Sequence, residues 1–148
     1  METRPLPLGI ADHRHDYLTS LADEIHRTYF YKMPALSVRW GQQITRKKRR
    51  SIRLGSYNHI TTEIRIHPLL NSSDTPAFFI QSVIYHEYLH HVLGAKHNRR
   101  FHAHERQFRY YREAQEWIRR NLLHLLGTKR KNVTPVVARV EQPQMALF

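Results

Sequence analysis

The sequence predicts an α+β domain, and three observations carry that expectation. Apolar residues recur at spacings of three and four over residues 18–29. Short β-prone runs follow between residues 36 and 67. Helical patterning then resumes at Thr75-Pro76 and again after Asn98. Helix first, strands grouped next and helices last is the order of an α+β chain, since an α/β chain would alternate the two.

Residues 1–11 hold Pro5, Pro7 and Gly9 and read as an irregular arm. A helix is expected from Asp12 or Asp16 to Tyr31, with Leu18, Leu21, Ile25 and Tyr29 on its inner face and Met33-Pro34 ending it. Leu36–Trp40 reads as a first strand and Gly41–Arg50 as a basic turn. Ser51–Tyr57 and Thr61–His67 read as two further strands joined through Asn58-His59. In the third strand Ile64 and Ile66 alternate with Glu63, Arg65 and His67, as one buried face requires. Glu63–His67 is also the strand expected to offer an edge to an extended peptide. Pro68–Asp74 is a loop. Thr75 as N-cap and Pro76 at the first helical position open the next helix, and Gly94 closes it. Asn98 is expected to cap one long helix to about Leu126, with Phe101, Phe108, Tyr111, Ile118, Leu122 and Leu125 inward. Gly127 ends it, which divides the chain into a domain at 1–127 and a basic tail at 128–148, the tail holding a short strand at Val133–Val140.

Composition narrows the chemistry. The 148 residues suit one domain, and 41 % apolar content supplies a core. With no cysteine, disulfides and thiolate zinc sites are excluded, so any metal must be held by His, Asp or Glu. No run of about 18 apolar residues suggests a membrane helix. Met1–Asp12 lacks the apolar stretch of a signal peptide, so a cytoplasmic protein is expected. Lys and Arg number 24 against 12 acidic residues, a formal charge of +12. The densest run is Arg46, Lys47, Lys48, Arg49 and Arg50, and Lys129-Arg130-Lys131 is a second. Such fields attract DNA or RNA without specifying sequence, and they also serve as solvated loops. The charge supports an alternative reading as a nucleic-acid-binding protein whose zinc is structural or vestigial.

The most specific local feature is His86-Glu87-Tyr88-Leu89-His90, an H-E-x-x-H pentapeptide. A chain this rich in histidine would carry it by chance in roughly one case in twenty, so its surroundings decide its weight. On a helix, residues four apart share a face, so the two imidazoles can hold one ion. Glu87, turned about 100° away, can reach a water rather than the metal. A catalytic zinc takes three protein ligands and keeps one position open. The third is to be sought beyond Gly94, among His97, His102, His104 and Glu105. His97 lies in the turn and can fold back, whereas His104 shares a helix face with Phe101 and Phe108. His91 is expected at the surface. The implied chemistry is hydrolysis by a metal-activated water with Glu87 as general base. Donors for the developing oxyanion could be Tyr57, Tyr85, Tyr88, His59 or Arg53. Zn²⁺ is the expected ion, although a three-histidine site also accepts Mn²⁺, Co²⁺ or Ni²⁺.

Five segments carry a family resemblance in order: Val38–Gly41, Ile52–Tyr57, Ile64–Pro68, Val83–His91 and His97–Phe101. Over about residues 15–125 the chain resembles the SprT-like zinc metalloproteases. It is similar more broadly to the minimal zincin group of SprT, Spartan, the WLM proteases and the YgjP-type hydrolases. The resemblance implies a minimal zincin fold: a leading helix, a three-stranded antiparallel sheet, an H-E-x-x-H helix and a following long helix. It implies His86, His90 and His97 as metal ligands and Glu87 as the catalytic base. It also implies a protein or peptide substrate, and the basic runs point to proteins associated with nucleic acid. Asn98 stands where the family often has glycine, and His104 to Phe108 repeats the H-x-x-x-F spacing of His97 to Phe101. Without cysteine, the zinc ribbon that can follow the core has no counterpart.

Overall fold

A computed structural model describes residues 6–42 and 52–127. The basic run at 46–50 and the tail from 128 on, with its expected strand, lie outside the described residues. The order of elements is α1 (Leu6–Tyr29), β1 (Ser37–Trp40), β2 (Gly55–Asn58), β3 (Glu63–Ile66), α2 (Ala77–Leu93), α3 (Arg99–Glu105) and α4 (Tyr111–Leu126). A 3₁₀ turn at Pro68–Leu70 precedes α2. The α+β class and the grouping of the strands follow the sequence reading. Among the described residues no helix is long and apolar enough to cross a membrane.

Helix α1 begins earlier than expected, at Leu6. Pro7 falls in its first turn, where a missing N–H costs nothing because no carbonyl precedes it. Leu18, Leu21, Ala22 and Ile25 are buried, one stripe at helical spacing. The chain leaves the helix through a turn that His26 latches, its Nε2 lying 2.6 Å from the Met33 carbonyl.

The sheet is mixed, with the order β1-β3-β2. The all-antiparallel arrangement is therefore corrected: β2 and β3 are antiparallel, but β1 and β3 are parallel. Strands β1 and β2 stand at opposite edges, so the β2–β3 hairpin returns β3 into the middle. A hairpin enforces antiparallel pairing, whereas a long crossover permits the parallel one. Asn58 shapes the hairpin by accepting the Ile60 and Thr61 N–H groups at 2.8 and 3.2 Å, with Thr62 at φ 54°. A second correction follows. Glu63–Ile66 is paired on both sides and offers no edge, while β2 is an edge strand. Ile64 and Ile66 are fully buried, as their alternation predicted.

Helix α2 runs under the sheet and is buried over most of its length, including the polar residues Gln81, His86 and Glu87. Its N-cap is Pro76, not Thr75. Pro76 keeps an extended ψ of 148°, so the helix starts one residue later and the Thr75 hydroxyl makes no cap. Gln81 ties α2 to α1, donating to Leu21 O at 3.2 Å and Glu24 Oε1 at 3.1 Å. Gly94 closes α2 as expected, at φ +102°, with its N–H on His90 O.

The single long helix expected after Asn98 is two helices. Asn98 does cap the first, its Oδ1 accepting the Phe101 N–H at 3.0 Å. The break after Glu105 lets Phe108 drop into the core against Tyr85, with ring centroids 5.4 Å apart. It also resets the helical phase. Phe101, Phe108, Ile118 and Leu122 are buried as expected, but Ala114 and Leu126 take inward places while Tyr111 and Leu125 stay half-buried.

Gly55 marks the closest approach of sheet and helix. A Cβ there would lie 2.5 Å from Val83 Cγ1 and 3.0 Å from Glu87 Oε2. Gly55→Ala is expected to lose about 1–3 kcal/mol in denaturant unfolding. Adding Val83→Ala should cost less in the Gly55→Ala background than in wild type. Equal costs in both would mean that the contact does not set the spacing.

Candidate metal centre

Two features of the backbone bring three histidines together. Spacing of four on α2 stacks His86 and His90 on one face. The reversal at Gly94 then returns His97 to them. His97 Nε2 lies 3.2 Å from His86 Nε2 and 3.0 Å from His90 Nε2. Tetrahedral ligands about 2.05 Å from a zinc ion would lie roughly 3.3 Å apart, so the spacing suits one shared ion. Among the described residues these three form the one group that could hold a metal.

Tautomers sharpen this. His90 Nδ1 lies 2.9 Å from the Gly94 carbonyl, which can only accept, so Nδ1 carries the proton. His86 Nδ1 lies 2.5 Å from Glu105 Oε2, and the carboxylate accepts there. Each neutral ring then presents a bare Nε2 lone pair to the same point. Burial and mutual repulsion keep them neutral. Burial holds His86 and His90 below the usual histidine range, and it lowers His97 to about 4 with help from the other two rings. Phe101, fully buried, packs against all three rings at centroid distances of 4.7–4.9 Å and closes the inner side to water.

Glu87 is fully buried, and neither carboxylate oxygen has a hydrogen-bond partner among the described residues. Burial pushes its pKa up to about 8, against the lowering influence of Arg53. An unpartnered buried carboxylate is costly, and a cation beside it offsets that cost. Two convergent lone pairs, a third imidazole nitrogen facing them and an orphaned carboxylate together fit a divalent metal ion. The group opens on a cavity of about 500 Å³ walled by Arg53, Tyr57, His59, Glu87, His90 and His97.

The other candidate residues go elsewhere. His102 Nδ1 donates to Glu105 Oε1 at 3.3 Å rather than turning to the centre. His104 contributes its carbonyl, which accepts the Tyr85 hydroxyl at 2.6 Å, and its ring is outside the cluster. Glu105 supports His86 instead of joining the three. Burial alone would raise its carboxyl, but the hydrogen bonds from His86 and His102 outweigh this and hold it low. Its signal in the sequence was the spacing of four from Phe101, which puts both on one face of α3. His91 is exposed, as expected, and the Tyr57 hydroxyl donates to its Nδ1. Of the oxyanion donors considered, Tyr85 donates to His104 O, and Tyr88, whose hydroxyl accepts the Leu36 N–H at 2.9 Å, is buried and does not line the cavity. Tyr57, His59 and Arg53 line the cavity. Arg53 is steadied by its Nε–H on Gly55 O at 3.1 Å.

No family model matches the chain, and no curated protein does. Among solved structures it is similar to the crystal structure of the metallopeptidase zymogen of Methanocaldococcus jannaschii jannalysin. The two share 13 % identity at a TM-score of 0.56, over 84 % of this chain and 97 % of that one. At this identity the likeness is one of fold.

The electrostatics predict a pH signature in the metal-free protein. Glu87 rises from 4.5 to about 8 on folding, so the folded chain binds this proton more tightly than the unfolded one. Its contribution to stability is present below about pH 4.5 and is lost as pH climbs to 8. The lowered histidines act oppositely, but equally in wild type and Glu87→Gln. With chelator present, Glu87→Gln should exceed wild type in unfolding free energy by on the order of 3 kcal/mol at pH 8.5 and by little near pH 5. A gap independent of pH would contradict the burial argument.

Proposed function

We propose that this protein is a zinc-dependent peptidase. One observation carries the reading: the three imidazoles converge beside an open cavity that His90, His97 and the unpartnered Glu87 line. A structural zinc would need a fourth protein ligand, and among the described residues the metal-holding group ends at three. That favours a reactive site over a structural one. The metallopeptidase-like fold and the sequence resemblance to SprT-like proteases support the same activity.

Bound zinc would supply Lewis acidity toward a carbonyl oxygen and toward water. His86, His90 and His97 would hold it. Glu87 takes the proton of the attacking water as the C–O bond forms, and then delivers it to the leaving amine as the C–N bond breaks. Arg53 and His59 are placed around the cavity to donate to a developing oxyanion, and Tyr57 can do so by releasing His91. The edge strand β2 borders the cavity through Tyr57, so an extended peptide can pair along it. The basic run Arg46–Arg50 extends the proposal to substrates bound to DNA or RNA.

Glu87→Gln preserves shape and removes the base. It should retain zinc while kcat on unfolded protein substrates falls by about 10²–10⁴-fold. Wild-type turnover by a zinc-loaded Glu87→Gln would exclude this mechanism.

A further inference from the structure

Glu105 takes no part in the reaction just described, yet both of its oxygens are committed and its side chain is 12 % exposed. The ring it contacts, His86, is 1 % exposed. A neutral imidazole carries one N–H, and whichever nitrogen holds it cannot bind a metal. Water is largely excluded from His86, so a protein group must choose the tautomer. The carboxylate on Nδ1 does so.

The surrounding contacts hold that carboxylate in place. Tyr85 and His86, adjacent on α2, grip adjacent residues at the end of α3: the Tyr85 hydroxyl bonds His104 O, and His86 bonds Glu105. His102 fixes the second oxygen, and its own ring lies nearly parallel to that of His97, tilted by 26°. We propose that Glu105 is a positioning residue of the metal site. Its carboxylate, steadied by His102, holds His86 as the Nδ1–H tautomer so that Nε2 faces the ion. This rests on the three histidines holding a metal and stands apart from what the site cleaves.

The test is zinc affinity, read by competition with a chromogenic chelator, together with the His86 Nδ1–H signal in ¹⁵N-histidine NMR of the full chain. Glu105→Ala should weaken zinc binding by about 10–100-fold. Glu105→Gln keeps an acceptor oxygen and should lose less, while His102→Ala should lose a few-fold. Gln81→Ala removes hydrogen bonds between α2 and α1 that lie outside this network. It should leave zinc affinity close to wild type whatever it does to the melting temperature. Weakened zinc binding in the Glu105 variants with no peptide cleavage by wild type would uphold the positioning role and refute the peptidase reading. Wild-type zinc affinity in both Glu105 variants, or an unchanged His86 Nδ1–H signal in both, overturns the proposal. So does a wild type that takes up no zinc. Should Glu105→Ala fail to fold, Glu105→Gln and His102→Ala decide alone.

Discussion

The hydrogen bonds on the far sides of His86 and His90 constrain this site more than any other contact. Each takes up the Nδ1 proton, one with Glu105 and one with the Gly94 carbonyl, and each leaves Nε2 as a lone pair aimed at His97. Two such lone pairs, with a third imidazole nitrogen facing them, suit a cation between the three rings. The fold prepares this in advance. It buries the rings, depresses their proton affinity and packs Phe101 behind them.

The rest of the molecule reads as support for this cluster. Helix α2 is apolar nearly all round because it is sandwiched by the sheet, α1 and α4, which fixes its rotation and so the direction of His86 and His90. Gly55 lets β2 lie against the helix beside Glu87, bringing Tyr57 and Arg53 to the cavity wall. The break between α3 and α4 lets Phe108 enter the core, while Glu105, one turn after Phe101 on α3, faces α2.

Much of this was legible in the sequence because it depends on local rules. The spacing of four put two histidines on one face, Gly94 ended the helix, and Asn98 capped the next. His97 in the turn between them was the nearest group able to reach back. Strand existence was legible from alternation, as at Ile64 and Ile66. Strand pairing was not, because the parallel β1–β3 contact depends on β1 and β2 taking opposite edges, and no periodicity encodes that. Likewise, residues 99–126 carry an unbroken helical pattern, and the kink after Glu105 comes from tertiary packing of Phe108. Two roles set by the packing of α3 on α2 were also missed, those of Glu105 as partner to His86 and of Tyr85 as a brace rather than an oxyanion donor.

X-ray absorption spectroscopy of the zinc-loaded protein tests the central claim most directly. The account predicts one zinc per chain with three imidazole nitrogens near 2.0–2.1 Å and one further light ligand, falling to two imidazoles in His97→Ala. A chain that takes up no stoichiometric zinc, or whose imidazole count is the same with and without His97, would contradict it.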